Sequence, residues 1–403
     1  MALFQMKDNS KFLLIALAFL GFISIGLPDG LLGVAWPSIR LFFHLPLDAL
    51  GNLLLTLAAG YLLSSFCSGW ILARVNVGTL LALSCLATGV SLLGYALARH
   101  WYQMVVLGLL SGIGAGAIDA GLNTFAARHF SARTVNWLHA CYGIGATFGP
   151  LIMTRTLIAG RPWQWAYGLV ATGQLALALV FGRTKKRWPD QAAPTTAAMT
   201  ETTRAPQVAV TLRLPVAWLS IAVFFVYTGI EAAAGTWTYS LFTEARGTSA
   251  SQAGWIISSY WAIFTAGRIC AGVIIRFAPV ALFLRSCILG MAVGAFLLWL
   301  HLSDWSSWFG LALIGLAAAP VFPTLIAVTP QRLGHAHLAN GVGFQIAAAV
   351  LGQSILPGFI GVLAQYFGLE IVAPVLLAAI LLLFALHEGL MAKGGAAAAI
   401  ALG

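Results

Sequence analysis

Charge is scarce in this chain. Only 8% of its 403 residues are Asp, Glu, Lys or Arg, whereas a water-soluble domain carries about a quarter, so a soluble globular protein is excluded. Acid is scarcer than base, 11 residues against 21. Cysteine is sparse as well. Cys67, Cys85, Cys141, Cys270 and Cys287 are odd in number, have no CxxC spacing and fall in apolar stretches, which argues against a disulfide framework or a metal cluster and reads them as small buried hydrophobes. HExxH, GxSxG and Walker-loop signatures are missing, so the chain is read as a non-enzyme without cofactor. His335 and His337 lie close together in a predicted cytoplasmic loop with no further ligands nearby; they are expected to be solvated, not to hold metal.

Apolar residues are what the chain has, at 60% with a mean hydropathy of +0.92. A span needs about 20 of them, so twelve spans would use roughly 240 positions and leave short loops, tails and one linker. Breaking the chain at charged or turn-rich clusters gives segments near 12–35, 49–72, 79–98, 102–124, 135–157 and 164–183, then 214–240, 252–275, 280–300, 304–326, 340–363 and 369–390. The predicted fold is an all-α polytopic membrane protein, twelve transmembrane helices in two six-helix bundles. The expected domains are a first bundle over 1–183, a linker over 184–213 with Lys185, Lys186 and Arg187 and an Ala/Thr/Pro-rich run, a second bundle over 214–391, and a tail over 392–403. Lys7 and Lys11 precede the first span, which continues past signal-peptide length without a small-residue cleavage site and is read as a retained helix.

With alternate loops compared, Lys and Arg gather on one side. Fifteen, from Lys7 to Lys393, fall on the amino-terminal side, and opposite them lie Arg40, Arg99, Arg155, Arg161 and Arg246. By the positive-inside rule both termini and the linker are cytoplasmic, in a plasma or bacterial inner membrane. The basic excess then belongs to loops, so the expected partners are the bilayer and a small solute, not nucleic acid, and the expected state is a monomer.

The halves read as copies. Asp29 and Trp36 in the first span parallel Glu231 and Trp237 in the seventh; Gly69-x-x-x-Ala73-Arg74 parallels Gly272-x-x-x-Arg276; Asn136 opens the fifth span as Asn340 opens the eleventh. Duplicated six-helix units place a substrate site between the halves near the midplane.

An ionisable group inside a span is costly and normally marks a pathway. Asp29, Asp119, Glu231 and Arg268 are such groups. If helical spacing persists beyond Pro28, then Asp29, Gly33 and Trp36 share a face, an acid, a gap and an aromatic plate. The alternative is a permanent pair between Asp29 and a neighbouring span. In the fourth span Gly108, Gly112 and Gly116 permit close helix approach, while Asp119 and Asn123 form an i, i+4 pair suited to carrying a proton; the alternative is a bond to the adjacent helix. His139 is a candidate relay or hydroxyl ligand, or an interhelical bonding residue. Gly143-x-Gly145-x-x-x-Gly149-Pro150 suits a helix that bends or slides. In the second half Tyr227 and Glu231 share a face. Trp237 reads either as a belt residue or as a plate for a sugar ring, and Gln345 and Gln353 offer amides to a hydroxyl-rich ligand or to a neighbouring helix. Arg268 is expected to neutralise an acid, and Arg74, Arg268 and Arg276 are candidate gating or charge-pair residues.

These residues resemble the major facilitator superfamily. The likeness rests on twelve spans, the central linker, the Gly69-to-Arg74 turn and Gly145-x-x-x-Gly149-Pro150. The turn departs from the usual motif, with Ala73 in place of an acid and Asn76 in place of a glycine, which weakens the usual cytoplasmic charge relay. Within the superfamily the chain is most similar to the fucose:proton symporter family and its sodium-dependent glucose transporter-like relatives, through Gly116-Ala-Ile-Asp119-Ala-Gly-Leu-Asn123, Leu138-His139-x-x-Tyr142-Gly143-Ile-Gly145, Tyr227-x-Gly229-x-Glu231 with Trp237, and Trp261 with Gly267-Arg268. That resemblance implies Asp119 as proton carrier and Asp29 as ligand or second titrating site, with sodium as the other possible coupling ion.

The leading expectation is therefore proton-coupled symport of a sugar or sugar-like solute by alternating access. Its proton-coupling candidates are Asp119, Asp29 and Glu231, and its substrate-binding candidates are Asp29, Trp36, Asn123, His139, Tyr227, Glu231, Trp237, Trp261, Gln345 and Gln353. Proton-antiporting export of amphipathic compounds and a non-transporting sensor or scaffold are the alternatives.

Overall fold

The computed structural model describes residues 8–188, 208–274 and 279–400. Among them the regular structure is helical. The twelve long helices are α1 (Asp8–Phe43), α2 (Leu50–Leu72), α3 (Val77–Leu97), α4 (Trp101–His129), α5 (Ala132–Ile158), α6 (Gln164–Thr184), α7 (Pro215–Ser240), α8 (Ala250–Ile274), α9 (Val280–Leu300), α10 (Asp304–Ala318), α11 (Leu338–Phe367) and α12 (Val372–Ile400). Each falls on one of the twelve predicted segments. Ten of these, with their continuations, are long and apolar enough to cross a membrane; α5 and α8 are of similar length, 27 and 25 residues. The chain is an integral membrane protein.

Where boundaries differ from expectation, local chemistry explains it. The first helix runs to Phe43, through Pro28 and Pro37, because neighbouring helices and local adjustment can re-satisfy the backbone groups a proline frees within a membrane. The tenth span is interrupted after Ala318 and resumes as a short helix, Val321–Ala327, with Pro320 at its N-cap. At its far end α7 continues into a π-helical turn, Leu241–Ala245.

The chain folds into two compact units. The first contains α1 to α6 together with Tyr239–Ala262, the end of α7 and the start of α8; the second contains Pro194–Thr238 and Ile263–Gly403. In the first, α1 packs on α5, α2 on α4, and α3 on both α4 and α6. Gly108, Gly112 and Gly116 all face α2, which is the helix that makes the close approach their spacing permits. Within this unit Arg40 on α1 is ion-paired with Glu244 of the π-helical turn, and Gly254 of α8 lies against Thr154 of α5. In the second unit α9 packs on α10 and α12, while Thr228 Oγ1 of α7 donates to the Ala349 carbonyl of α11, 2.8 Å away.

Backbones touch where no side chain intervenes. A Cβ at Gly145 of α5 would collide with the Ile23 carbonyl of α1, and one at Gly352 of α11 with the Phe225 carbonyl of α7. First-to-fifth and seventh-to-eleventh helices are thus joined by the same small-residue device, which suits a solvent where apolar burial alone gives helices little reason to associate. Outward, large apolar side chains such as Phe66, Trp70, Leu169 and Phe359 are exposed, an apolar exterior that suits lipid.

Two expectations are corrected. Cys85, Cys141 and Cys287 are buried, but Cys67 and Cys270 are exposed, since a thiol is apolar enough to face hydrocarbon. His337 is not simply solvated: its Nδ1 shares a hydrogen bond with Thr211 Oγ1 at 2.9 Å, a partner on the short helix Val208–Leu212 far away in sequence.

Candidate functional site

Five side chains of the first unit form a cluster. On α4 the helical spacing puts Asn123 one turn beyond Asp119, and Asn123 Nδ2 donates to Asp119 Oδ1 at 2.9 Å. The other carboxylate oxygen, Oδ2, accepts from the Tyr61 hydroxyl of α2 at 2.6 Å. On α1, Asp29 Oδ2 accepts from the Tyr142 hydroxyl of α5 at 2.8 Å. Tyr61 also interacts electrostatically with Asp29 and Tyr142, so the two acid–tyrosine pairs are neighbours. His139, one helical turn before Tyr142, is exposed, interacts electrostatically with Asp119 and meets the Phe22 ring edge-on at 5.2 Å.

Each carboxylate here is bonded by neutral donors. Hydroxyls and amides can serve either charge state, since a tyrosine hydroxyl can turn to accept and an amide has both functions. Such a site can take up or release a proton while its hydrogen bonds rearrange around the carboxyl.

The second unit is built otherwise. Glu231 of α7 is buried and lies 3.8 Å from Arg268 Nη2 of α8. Arg268 also donates from Nε to the Ala319 carbonyl, 3.4 Å, and its guanidinium sits over the Phe264 ring, 4.4 Å from the centroid. Arg268 therefore neutralises an acid, as expected, and the acid is Glu231. The Tyr227 hydroxyl donates to the Ala318 carbonyl at 2.8 Å, beside the same carboxylate.

Several candidates are engaged in packing. Trp36 is fully buried against Trp101, rings 5.7 Å apart, so it does not share the open surface of Asp29 although α1 stays helical between them. Trp237 is fully buried and donates from Nε1 to the Pro357 carbonyl at 2.8 Å. It is neither a belt residue nor an open plate, because that carbonyl is an acceptor supplied by α11. Trp261 is buried edge-on to Tyr260, 5.1 Å between centroids. Gln345 is buried, and its Nε2 donates to Ser220 Oγ at 2.6 Å, the helix-joining use of an amide. Gln353 is exposed. Arg74 is exposed, stacks over Trp70 at 3.7 Å and donates to its carbonyl. Arg276 lies outside the described residues.

Tyr61 and Tyr142 were not singled out as site residues by sequence reasoning. A tyrosine near the middle of a span is a usable signal, because its hydroxyl needs a partner there, but the partner lies 58 and 113 positions away.

The family whose description matches the chain is the Major Facilitator Superfamily, over residues 18–341 and 219–392. "Bypass of stop codon protein 6" of Saccharomyces cerevisiae is 23% identical over 411 residues, 92% of this chain and 81% of that one. "Sodium-dependent glucose transporter 1A" of Mus musculus is 22% identical over 389 residues, 87% and 89% of the two chains. Among solved structures, a D-xylose-proton symporter superposes with a TM-score of 0.73 at 16% identity, covering 92% of this chain and 97% of that chain.

Proposed function

We propose a solute and a coupling ion for this protein from one premise: the chain belongs to the Major Facilitator Superfamily. It is a membrane transporter, not an enzyme. Our reading is symport of a sugar or sugar-like solute with a proton, by alternating access, with no cofactor and with both termini in the cytoplasm. The observation that carries it is the pair of first-unit acids, Asp29 and Asp119, each accepting a hydrogen bond from a tyrosine hydroxyl. A proton arriving at Asp119 changes the charge of a cluster whose hydrogen bonds can rearrange around it, while Asp29, exposed and beside it, offers a carboxylate to solute hydroxyls. A sugar-like solute is supported by the likeness to a glucose transporter and by the symporter fold.

The test is uptake of radiolabelled hexoses and pentoses into proteoliposomes under an imposed proton gradient, with a sodium gradient at fixed pH as the second arm. Accumulation that follows the proton gradient, collapses with a protonophore and is lost in Asp119→Asn supports the reading. Uptake that tracks sodium alone, or that ignores Asp119→Asn, overturns proton coupling.

A further inference from the structure

Beside Asp29 the first unit contains a cavity of about 50 Å³. Its walls are largely aliphatic, yet Asp29, Thr88, Tyr95, Ser111, Tyr167 and Gln174 all reach it, from α1, α3, α4 and α6. Gln174 is the lone amide in the interior of α6, only 2% exposed. Its Nε2 donates to the Ser24 carbonyl of α1 at 2.7 Å, which orients the amide and leaves Oε1 as its uncommitted end. Oε1 makes no hydrogen bond to the described residues, and neither does the hydroxyl of Tyr167, itself 1% exposed. Tyr95 packs edge-on against Tyr167, 5.6 Å between centroids.

Leaving a buried donor or acceptor unmet costs about 1–3 kcal/mol, and here two such groups border one cavity with a carboxylate on its rim. The volume has room for at least one water, for which about 10–15 Å³ suffices. A water needs both donors and acceptors around it. Tyrosine and serine hydroxyls supply both functions, and the Gln174 oxygen accepts.

We propose that this cavity is a buried water site in which water joins Gln174 Oε1 and the Tyr167 hydroxyl to the Asp29 carboxyl. Gln174 and Tyr167 are then positioning residues for water at Asp29. Their consequence for transport rests on the proton-symport reading above: the carboxyl is hydrated from inside the first unit, whatever solute occupies its other face.

The experiment is radiolytic hydroxyl-radical labelling of the full-length protein in detergent, read by mass spectrometry. A buried ring beside bound water is oxidised, and a buried ring in a dry cavity is not. Tyr95 and Tyr167 should label at rates comparable with the exposed Tyr102 and Tyr366. Gln174→Leu should lower Tyr167 labelling severalfold, with Tyr102 unchanged and the thermal midpoint retained. If that variant does not fold, wild-type labelling alone decides. Unlabelled Tyr95 and Tyr167 in the wild type would overturn the proposal, as would labelling that sodium chloride suppresses and potassium chloride does not, which would assign the cavity to an ion. Labelling with uptake indifferent to the proton gradient would leave the water site standing and sink the symport reading.

Discussion

In the first unit Asp29 and Asp119 accept hydrogen bonds from Tyr142 and Tyr61, at 2.8 and 2.6 Å, whereas in the second unit Glu231 faces the guanidinium of Arg268 at 3.8 Å. Sequence alone treats all three as intramembrane acids. Their partners separate them. Hydroxyl and amide groups can follow a carboxyl through either charge state, but a guanidinium is compensated only while its carboxylate stays charged, so a change at Glu231 would strand Arg268. On the proposed symport reading, charge exchange belongs to the first unit and electrostatic anchoring to the second.

The sharpest attack on that division is at Asp119. Asp119→Asn keeps the shape and most hydrogen-bonding capacity but cannot take up a proton, so gradient-driven accumulation in proteoliposomes should fall to the level of empty vesicles while the protein still folds by thermal shift. Wild-type accumulation in that variant would erase the distinction between the units. Next in size is Arg268→Leu, which leaves Glu231 buried without its cation. Removing one partner of a buried pair costs roughly 3–5 kcal/mol, and the partly exposed arginine at 3.8 Å puts this case near the lower end. The thermal midpoint should drop clearly and recover in the double variant Glu231→Gln with Arg268→Leu; no recovery would mean that the pair is not what holds α7 to α8.

Smaller effects sharpen the same contrast. Tyr61→Phe removes one donor to Asp119 without removing the acid, and uptake should fall about tenfold, the rate equivalent of ~1.4 kcal/mol, with stability nearly intact. An unaltered uptake rate would show that the hydroxyl only fills space. Trp237→Phe in the second unit deletes the N–H donated to the Pro357 carbonyl and should cost about 1 kcal/mol. That loss should be seen in thermal melting and not in the half-saturating solute concentration. A shift confined to solute affinity would return Trp237 to the ligand site.

Much of this arrangement is legible from residues close in sequence. Asp119 and Asn123 stand one helical turn apart, and the structure joins them at 2.9 Å. The glycines of α4 make the close helix contact that their spacing implies, though that the partner is α2 comes from the structure. Other residues needed a neighbour that no local pattern names. By sequence Trp36 reads as an open plate beside Asp29, and Trp237 as either a belt residue or a plate; Trp101 and the Pro357 carbonyl decide for a packed ring in each case. Gln345 and Gln353 read identically, yet one is committed to Ser220 and the other is exposed.

By itself the sequence determined that the chain is a bundle of membrane helices, where those helices fall, and that a few acids sit inside them. Hydrocarbon forces this outcome, because about 20 apolar residues with internally bonded backbone are what can cross it. Only the tertiary structure decided what each acid meets, Tyr142 for Asp29, Tyr61 for Asp119 and Arg268 for Glu231. Partners contributed by other helices depend on how helices are paired and rotated, and packing among many distant side chains sets that where periodicity along one helix cannot.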